Sequence, residues 1–145
     1  MAFKISSLKT DKLKEEEGGW VTFGADLMVK IARMDNINYL SCLRKLSKGH
    51  ISQIRLNDDP KTIDLIESFR RKAMARHILL DWKNMEDDEG KTIQYSYEKA
   101  LELFESIPEF YRGVIELSSD ATNFKVEERS ESLGNLLSSS NGNSP

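Results

Sequence analysis

Few residues in this 145-residue chain are of the types that carry covalent or metal chemistry. His50 and His77 are its two histidines, and His77 falls on a helix face, where a packed or surface imidazole is a plainer reading than a general base. Ser96-Tyr97-Glu98-Lys99 has the S-x-x-K spacing of a serine nucleophile with a lysine partner. The companion boxes of that chemistry are missing, and a helix cap accounts for Ser96. Asp87, Asp88, Glu89 and Gly90 resemble part of a calcium loop. With Gly90 at the loop's glycine position, however, the first ligand falls on Met85 and the final acid on Ser96, so a solvated acidic turn is the better reading. Gly18-Gly19 precedes a strand pattern and lacks the Lys-Ser/Thr of a phosphate loop. Cys42 is the one cysteine. It can form no intrachain disulfide, and it cannot build a zinc site of the usual kind. The expectation is a protein without catalytic residues, metal or cofactor.

Binding chemistry is better represented. Arg44, Lys45, Lys48, Arg55, Arg70, Arg71 and Lys72 could form a basic face, with Arg76 one turn further on. Pairing with acids such as Asp64 and Glu67 competes with that reading, and nucleic-acid contact is the weaker alternative. Net charge is −3 and the sequence pI about 5.5, so the chain as a whole has no general affinity for nucleic acid. Residues 30–72 hold ten Lys/Arg against five Asp/Glu, whereas residues 81–109 hold three against nine. The two halves could meet inside one molecule or drive head-to-tail self-association. Trp82 and Tyr95 flank the acidic loop, and Trp and Tyr are favoured anchors at protein interfaces. Core packing is the plainer reading for Trp82, and Tyr97 and Tyr111 are better placed for exposed contacts. The candidate partner-binding residues are therefore Trp82, Tyr95, Tyr97, Tyr111, Arg70 and Arg71.

The elements that must position these residues follow from pattern. Residues 1–18 are polar and read as a flexible arm, ordered at most around 3–8. Trp20-Val21-Thr22-Phe23 and 27–32 alternate on either side of a Gly/Asp break, which predicts a β-hairpin that must lie on a helix or pair with another strand. Asn36 or Asn38 opens a helix to about Lys48, ended by Gly49. Residues 50–57 are too short and mixed to assign. Asp59 and Pro60 open a long helix to about Leu80, with Ile63, Ile66, Phe69 or Arg70, Ala73, Met74, His77 and Ile78 on its apolar face. Residues 82–95 read as a loop or small hairpin tipped by Asp88-Glu89-Gly90. Ser96 caps a helix carrying Ala100, Leu101, Leu103 and Phe104, and Ser106-Ile107-Pro108-Glu109 reads as a capping box for a last helix reaching towards Phe124. Residues 127–145 are predicted to be a disordered tail in which Leu133, Leu136 and Leu137 could turn helical in a partner's groove. The fold class is mostly α (α+β): a single domain over 19–126, with a small N-terminal β-hairpin followed by about four helices. The N-terminus has no apolar stretch of signal-peptide length, and no run approaches a membrane span, so a cytosolic, soluble chain is expected.

The pieces GGWVTF, VKIARMDN and YLSCLRKL, the 72–80 helix end, and LLDWKNMEDDEGKTIQYSYEKALELF together resemble the tail assembly chaperones of tailed bacteriophages. The resemblance runs from about Trp20 to Phe124. It implies a non-enzymatic protein that binds the long tape measure protein, keeps it soluble and helps tail tube protein gather around it. Such a protein works in the host cytoplasm and leaves before the tail is finished. It also implies a possible longer product made by ribosomal frameshifting, and self-association is compatible with it. Two rivals remain: a structural virion component such as a connector or tail-completion protein, and a nucleic-acid-binding regulator.

Overall fold

The computed structural model describes residues 2–126, so the tail expected over 127–145 lies outside the described residues. The hairpin forms as its alternation dictates. Strand β1 (Gly19–Gly24) pairs antiparallel with β2 (Leu27–Ile31), Val21 opposite Val29 and Trp20 opposite Lys30. The third strand departs from the sequence expectation. The long helix ends at His77, and Leu79–Lys83 continues as β3 on the other edge of β2, with Trp82 opposite Val29 and Asp81 opposite Lys30. A short apolar run such as Ile78-Leu79-Leu80 fits a helix end or a strand equally well, and its pairing partner lies some fifty residues upstream. With β3 in place, β2 is the central strand, and Val29 and Ile31 are fully buried. One face of the sheet carries Val21, Val29 and Trp82 towards the helices. On the other face Lys83 Nζ sits 4.0 Å from the Trp20 ring centroid.

Four of the α-helices start where a side chain satisfies free N–H groups; the short helix after His50 and the last helix do not. Asn36 Oδ1 accepts from the Asn38 and Tyr39 amides at 2.9 and 3.1 Å and opens α2 (Ile37–Ser47). The same side chain donates through Nδ2 to the carbonyls of Arg33 and His77, which ties the start of α2 to the end of the long helix. Gly49 does not stop the chain's coiling: a 3-10 turn over Lys48–His50 leads into a short α3 (Ile51–Leu56). Asp59 caps α4 (Pro60–His77) through the Thr62 amide at 2.8 Å, with Pro60 in the first turn. At its start α4 turns Thr62 inwards and leaves Ile63 exposed, whereas further along Phe69, Ala73 and Met74 are buried as expected. Ser96 Oγ accepts from the Lys99 amide at 3.0 Å and opens α5 (Tyr97–Ser106).

The capping box expected at Ser106 does not form. Pro108 fixes the start of α6 (Pro108–Ser119), which makes Ile107 the flanking residue. The Ser106 hydroxyl donates back to the Glu102 carbonyl at 2.9 Å, and Glu109 pairs with Arg112. Helices α4, α5 and α6 close over the inner face of the sheet with Met74, Ile78, Phe104, Phe110 and Val114, and α2 packs on α4 through Tyr39. Helix α6 approaches β1 so closely that a Cβ at Gly113 would stand 2.5 Å from the Phe23 ring.

The segment read as a flexible arm is tied down along half its length. Asp11 caps α1 (Lys12–Glu17) and donates its own amide to the Phe124 carbonyl at 2.7 Å, and Thr10 bridges Lys125. Arg33 Nη1 meets Glu15 Oε2 at 2.6 Å, and the Thr10 hydroxyl donates to the same carboxylate. That hydrogen bond first, and Arg33 after it, hold the Glu15 carboxyl below the usual carboxylate range. The short runs around Thr10 and Lys125 carry no strong propensity, so the pairing is invisible until both ends of the chain are in place.

Candidate protein-binding surface

The six candidate partner-binding residues do not share a surface. Trp82 is almost fully buried. Its Nε1 donates to the Ile93 carbonyl at 2.7 Å, and its ring meets Tyr95 edge-on at 4.9 Å. The Tyr95 hydroxyl donates to the Leu79 carbonyl at 2.8 Å, and burial pushes the phenol's pKa up. Both residues pack at the foot of the 84–95 loop, Trp82 almost wholly buried and Tyr95 half-buried. Tyr97 lies under the Arg76 guanidinium, 4.0 Å from ring centroid to Cζ. Tyr111 of α6 comes near Arg70 and Arg71 of α4. Arg70 pairs with Glu67 at 3.1 Å. Arg71 Nε and the Tyr111 hydroxyl are buried with no hydrogen-bond partner among the described residues. Burial first, then the Glu67 charge, push the Tyr111 phenol up to about 12.

One apolar opening is built from segments that read in the sequence as core, loop or cap. Phe23 from β1, Met85 and Ile93 from the loop, and Leu103, Ile107 and Phe110 from the α5–α6 corner line an apolar groove of about 320 Å³, with Glu86 and Glu109 at its rim. Its floor is firm: the Phe23 and Phe110 rings lie 5.3 Å apart, and Phe110 packs against Phe104 at 5.8 Å. Its loop wall is held by the Ile93 amide donating to the Met85 carbonyl at 2.8 Å, and by the Trp82–Ile93 hydrogen bond behind it. The acidic hairpin beyond is a closed turn. Glu86 bridges Thr92, Asp87 Oδ1 accepts from the Glu89 and Lys91 amides, and Gly90 takes the positive φ of 80° that the tip requires. Ile107 stands 47% exposed on the groove's lip. One signal of the groove was present in the sequence: Met85 and Ile93 are apolar residues inside an otherwise acidic and polar loop.

A second opening, of about 280 Å³, lies between α2 and the end of α4 and is lined by Asn38, Ser41, Cys42, Lys45, Arg76 and His77. Burial pushes the Cys42 thiol up, away from the reactive thiolate. Burial first, then Arg76 and Lys45, push the His77 imidazole down. Among the described residues no three His, Cys, Asp or Glu side chains gather as metal ligands, and no helix is long and apolar enough to cross a membrane. The ion pairs among the described residues all join near neighbours or α1 to Arg33; none links the basic 30–72 half to the acidic 81–109 half.

No curated protein matches the chain, and no solved structure does. Residues 34–135 match the model of the YdaY prophage protein family, a span that begins before α2 and takes in all of α2–α6, β3 and the loop wall of the groove. The protein is thus phage-derived, and the chain belongs to the YdaY prophage protein family.

Proposed function

We propose that this chain is a phage tail assembly chaperone that acts by binding rather than by catalysis. Its client is the tape measure protein, kept soluble in the host cytoplasm while tail tube protein assembles around it. The observation that carries this reading is the open apolar groove between β1, the loop after β3 and the α5–α6 corner. Six apolar side chains on a firm floor suit the apolar stripe of an amphipathic helix, the helix-in-groove mode of recognition. Glu86 and Glu109 at the rim favour a helix whose apolar stripe is flanked by Lys or Arg. A long helical client offers many such stripes, and one small groove per copy suits transient, repeated engagement and release.

The test is co-expression with the tape measure protein of the same phage. The chaperone reading expects the partner to stay soluble and co-purify, Ile107→Asp to release it, and this chain to be missing from finished particles. Stoichiometric presence in particles, with no effect on the partner's solubility, would make the chain a structural virion component instead.

A further inference from the structure

Residues 3–9 carry an apolar and basic face that nothing among the described residues covers. Phe3, Ile5 and Leu8 are 70%, 75% and 58% exposed, and Lys4 and Lys9 lie among them. A single exposed apolar side chain is ordinary on a protein surface; three within six residues, each more than half exposed, make a patch that calls for a partner. Behind this segment the chain is fastened by the Asp11–Phe124 hydrogen bond and the Thr10–Lys125 bridge. The acids Glu15, Glu16 and Glu17 come only after that root, in α1.

The groove at the α5–α6 corner is the complement in both respects. It is apolar within and acidic at the rim, through Glu86 and Glu109, with Asp87, Asp88 and Glu89 in the adjoining turn. Arm and groove sit at opposite ends of α6: Phe124, at the arm's root, follows the end of the helix, and Ile107 precedes its start. Twelve helical residues separate the two ends by about 18 Å. The arm does not lie in its own groove, since its three apolar side chains are exposed.

We propose that the arm of one copy docks in the groove of a second copy. Phe3, Ile5 and Leu8 enter between Phe23, Ile107 and Phe110, and Lys4 and Lys9 lie against Glu86 and Glu109. Because the two surfaces differ, the contact is head-to-tail, and repetition adds further copies unless the rotation closes a ring. Lys4 and Lys9 make no ion pair among the described residues, and Glu109 pairs only with its exposed helix neighbour Arg112, so the contact sets opposite charges against each other between molecules. A client helix of similar chemistry competes with the arm for the groove. The inference concerns this chain alone and holds or fails whatever the client is.

Sedimentation of the full chain without any partner tests it. The weight-average mass should climb above one 16.6 kDa chain as concentration rises between about 1 μM and 1 mM, the range of small interfaces. Phe3→Asp/Ile5→Asp should abolish the climb, and so should Ile107→Asp. Mixing the two variants should restore association, but only to a 1:1 dimer, because one intact arm meets one intact groove. A wild-type chain that stays monomeric throughout would overturn the proposal, as would variants that assemble like wild type or a mixture that stays monomeric. Charge reversal guards against a misfolded groove variant. Lys4→Glu/Lys9→Glu should weaken association at least tenfold, and Glu86→Lys/Glu109→Lys in the second copy should restore it; no rescue counts against the contact.

Discussion

The loop after β3 has two sides built of similar residues with opposite fates. On its inner side Trp82 and Tyr95 are shut against the sheet and the end of α4, each polar tip donating to a carbonyl, Ile93 and Leu79 respectively. On its outer side Met85 and Ile93 face an open groove, opposite Phe23, Ile107 and Phe110. The inner side is satisfied by the molecule itself, whereas the outer side is apolar and open among the described residues. The difference lies in which side the α5–α6 corner covers. Pro108 starts α6 immediately after the end of α5, so the corner is tight and Ile107 remains at the lip. Stability should therefore be concentrated on the inner side and binding on the outer.

Replacing Trp82 should break that comparison most severely. Trp82→Ala removes the ring that carries both the Tyr95 and Phe110 contacts, together with the hydrogen bond that holds the loop. A loss of about 3–5 kcal/mol is expected, or roughly 10 °C or more in melting temperature. Trp82→Phe should keep most of the packing and lose only the hydrogen bond, at about 1 kcal/mol. If the alanine variant melts within a few degrees of wild type, the loop's foot does not anchor the fold.

Gly113→Ala comes next. Alanine should favour α6 by about 1 kcal/mol through helix propensity, but its Cβ would lie 2.5 Å from two carbons of the Phe23 ring. Overpacking costs of about 1–3 kcal/mol outweigh the propensity gain, so a net loss of about 1 kcal/mol is expected in a denaturant melt. The displaced ring should also narrow the groove and weaken whatever binds there. A net gain in stability would mean that Phe23 swings away freely and is not a fixed wall.

Ile107→Asp sharpens the comparison from the outer side. The residue is half exposed and only rims the core, so stability should move by no more than about 0.5–1 kcal/mol, while association through the groove falls more than tenfold. Circular dichroism melts beside sedimentation or pull-down data separate the two effects. A variant that loses stability and binding in parallel would place Ile107 in the core instead.

How far the sequence foretold these regions depended on the range of the interaction. The caps at Asn36, Asp59 and Ser96 are local, three residues deep, and all three were legible. The hairpin was legible because alternation and turn residues lie side by side. Strand β3 was not, because Leu79 and Leu80 fit a helix end and their strand partner β2 is remote in sequence. The groove was not, because its walls come from three segments, each of which reads alone as core, loop or cap. Trp82 and Tyr95 were rightly placed beside the loop, but pattern does not say on which side of it they lie. Charge segregation was legible as composition; that the two halves leave each other unpaired required the fold.

The mildest change probes the packed side of α4, where Tyr111 contrasts with the satisfied phenol of Tyr95. The Tyr111 hydroxyl is buried with no hydrogen-bond partner among the described residues, so Tyr111→Phe removes a polar group that gains nothing in the folded state. The expected change in stability is near zero or a gain of up to about 1 kcal/mol. The sign of its pH dependence follows from the raised pKa. The folded phenol ionises near 12, the unfolded one near the ordinary 10. Tyr111 therefore leaves stability untouched below about pH 10 and erodes it as pH rises from there towards 12, because the unfolded chain releases the proton first. Absorbance titration of tyrosinate should show one tyrosine ionising last, and that final step should vanish in Tyr111→Phe. The same variant should hold its melting temperature further into the alkaline range than wild type. If its alkaline melting curve is superimposable on wild type, the hydroxyl has found a partner or water, and the contrast with Tyr95 disappears.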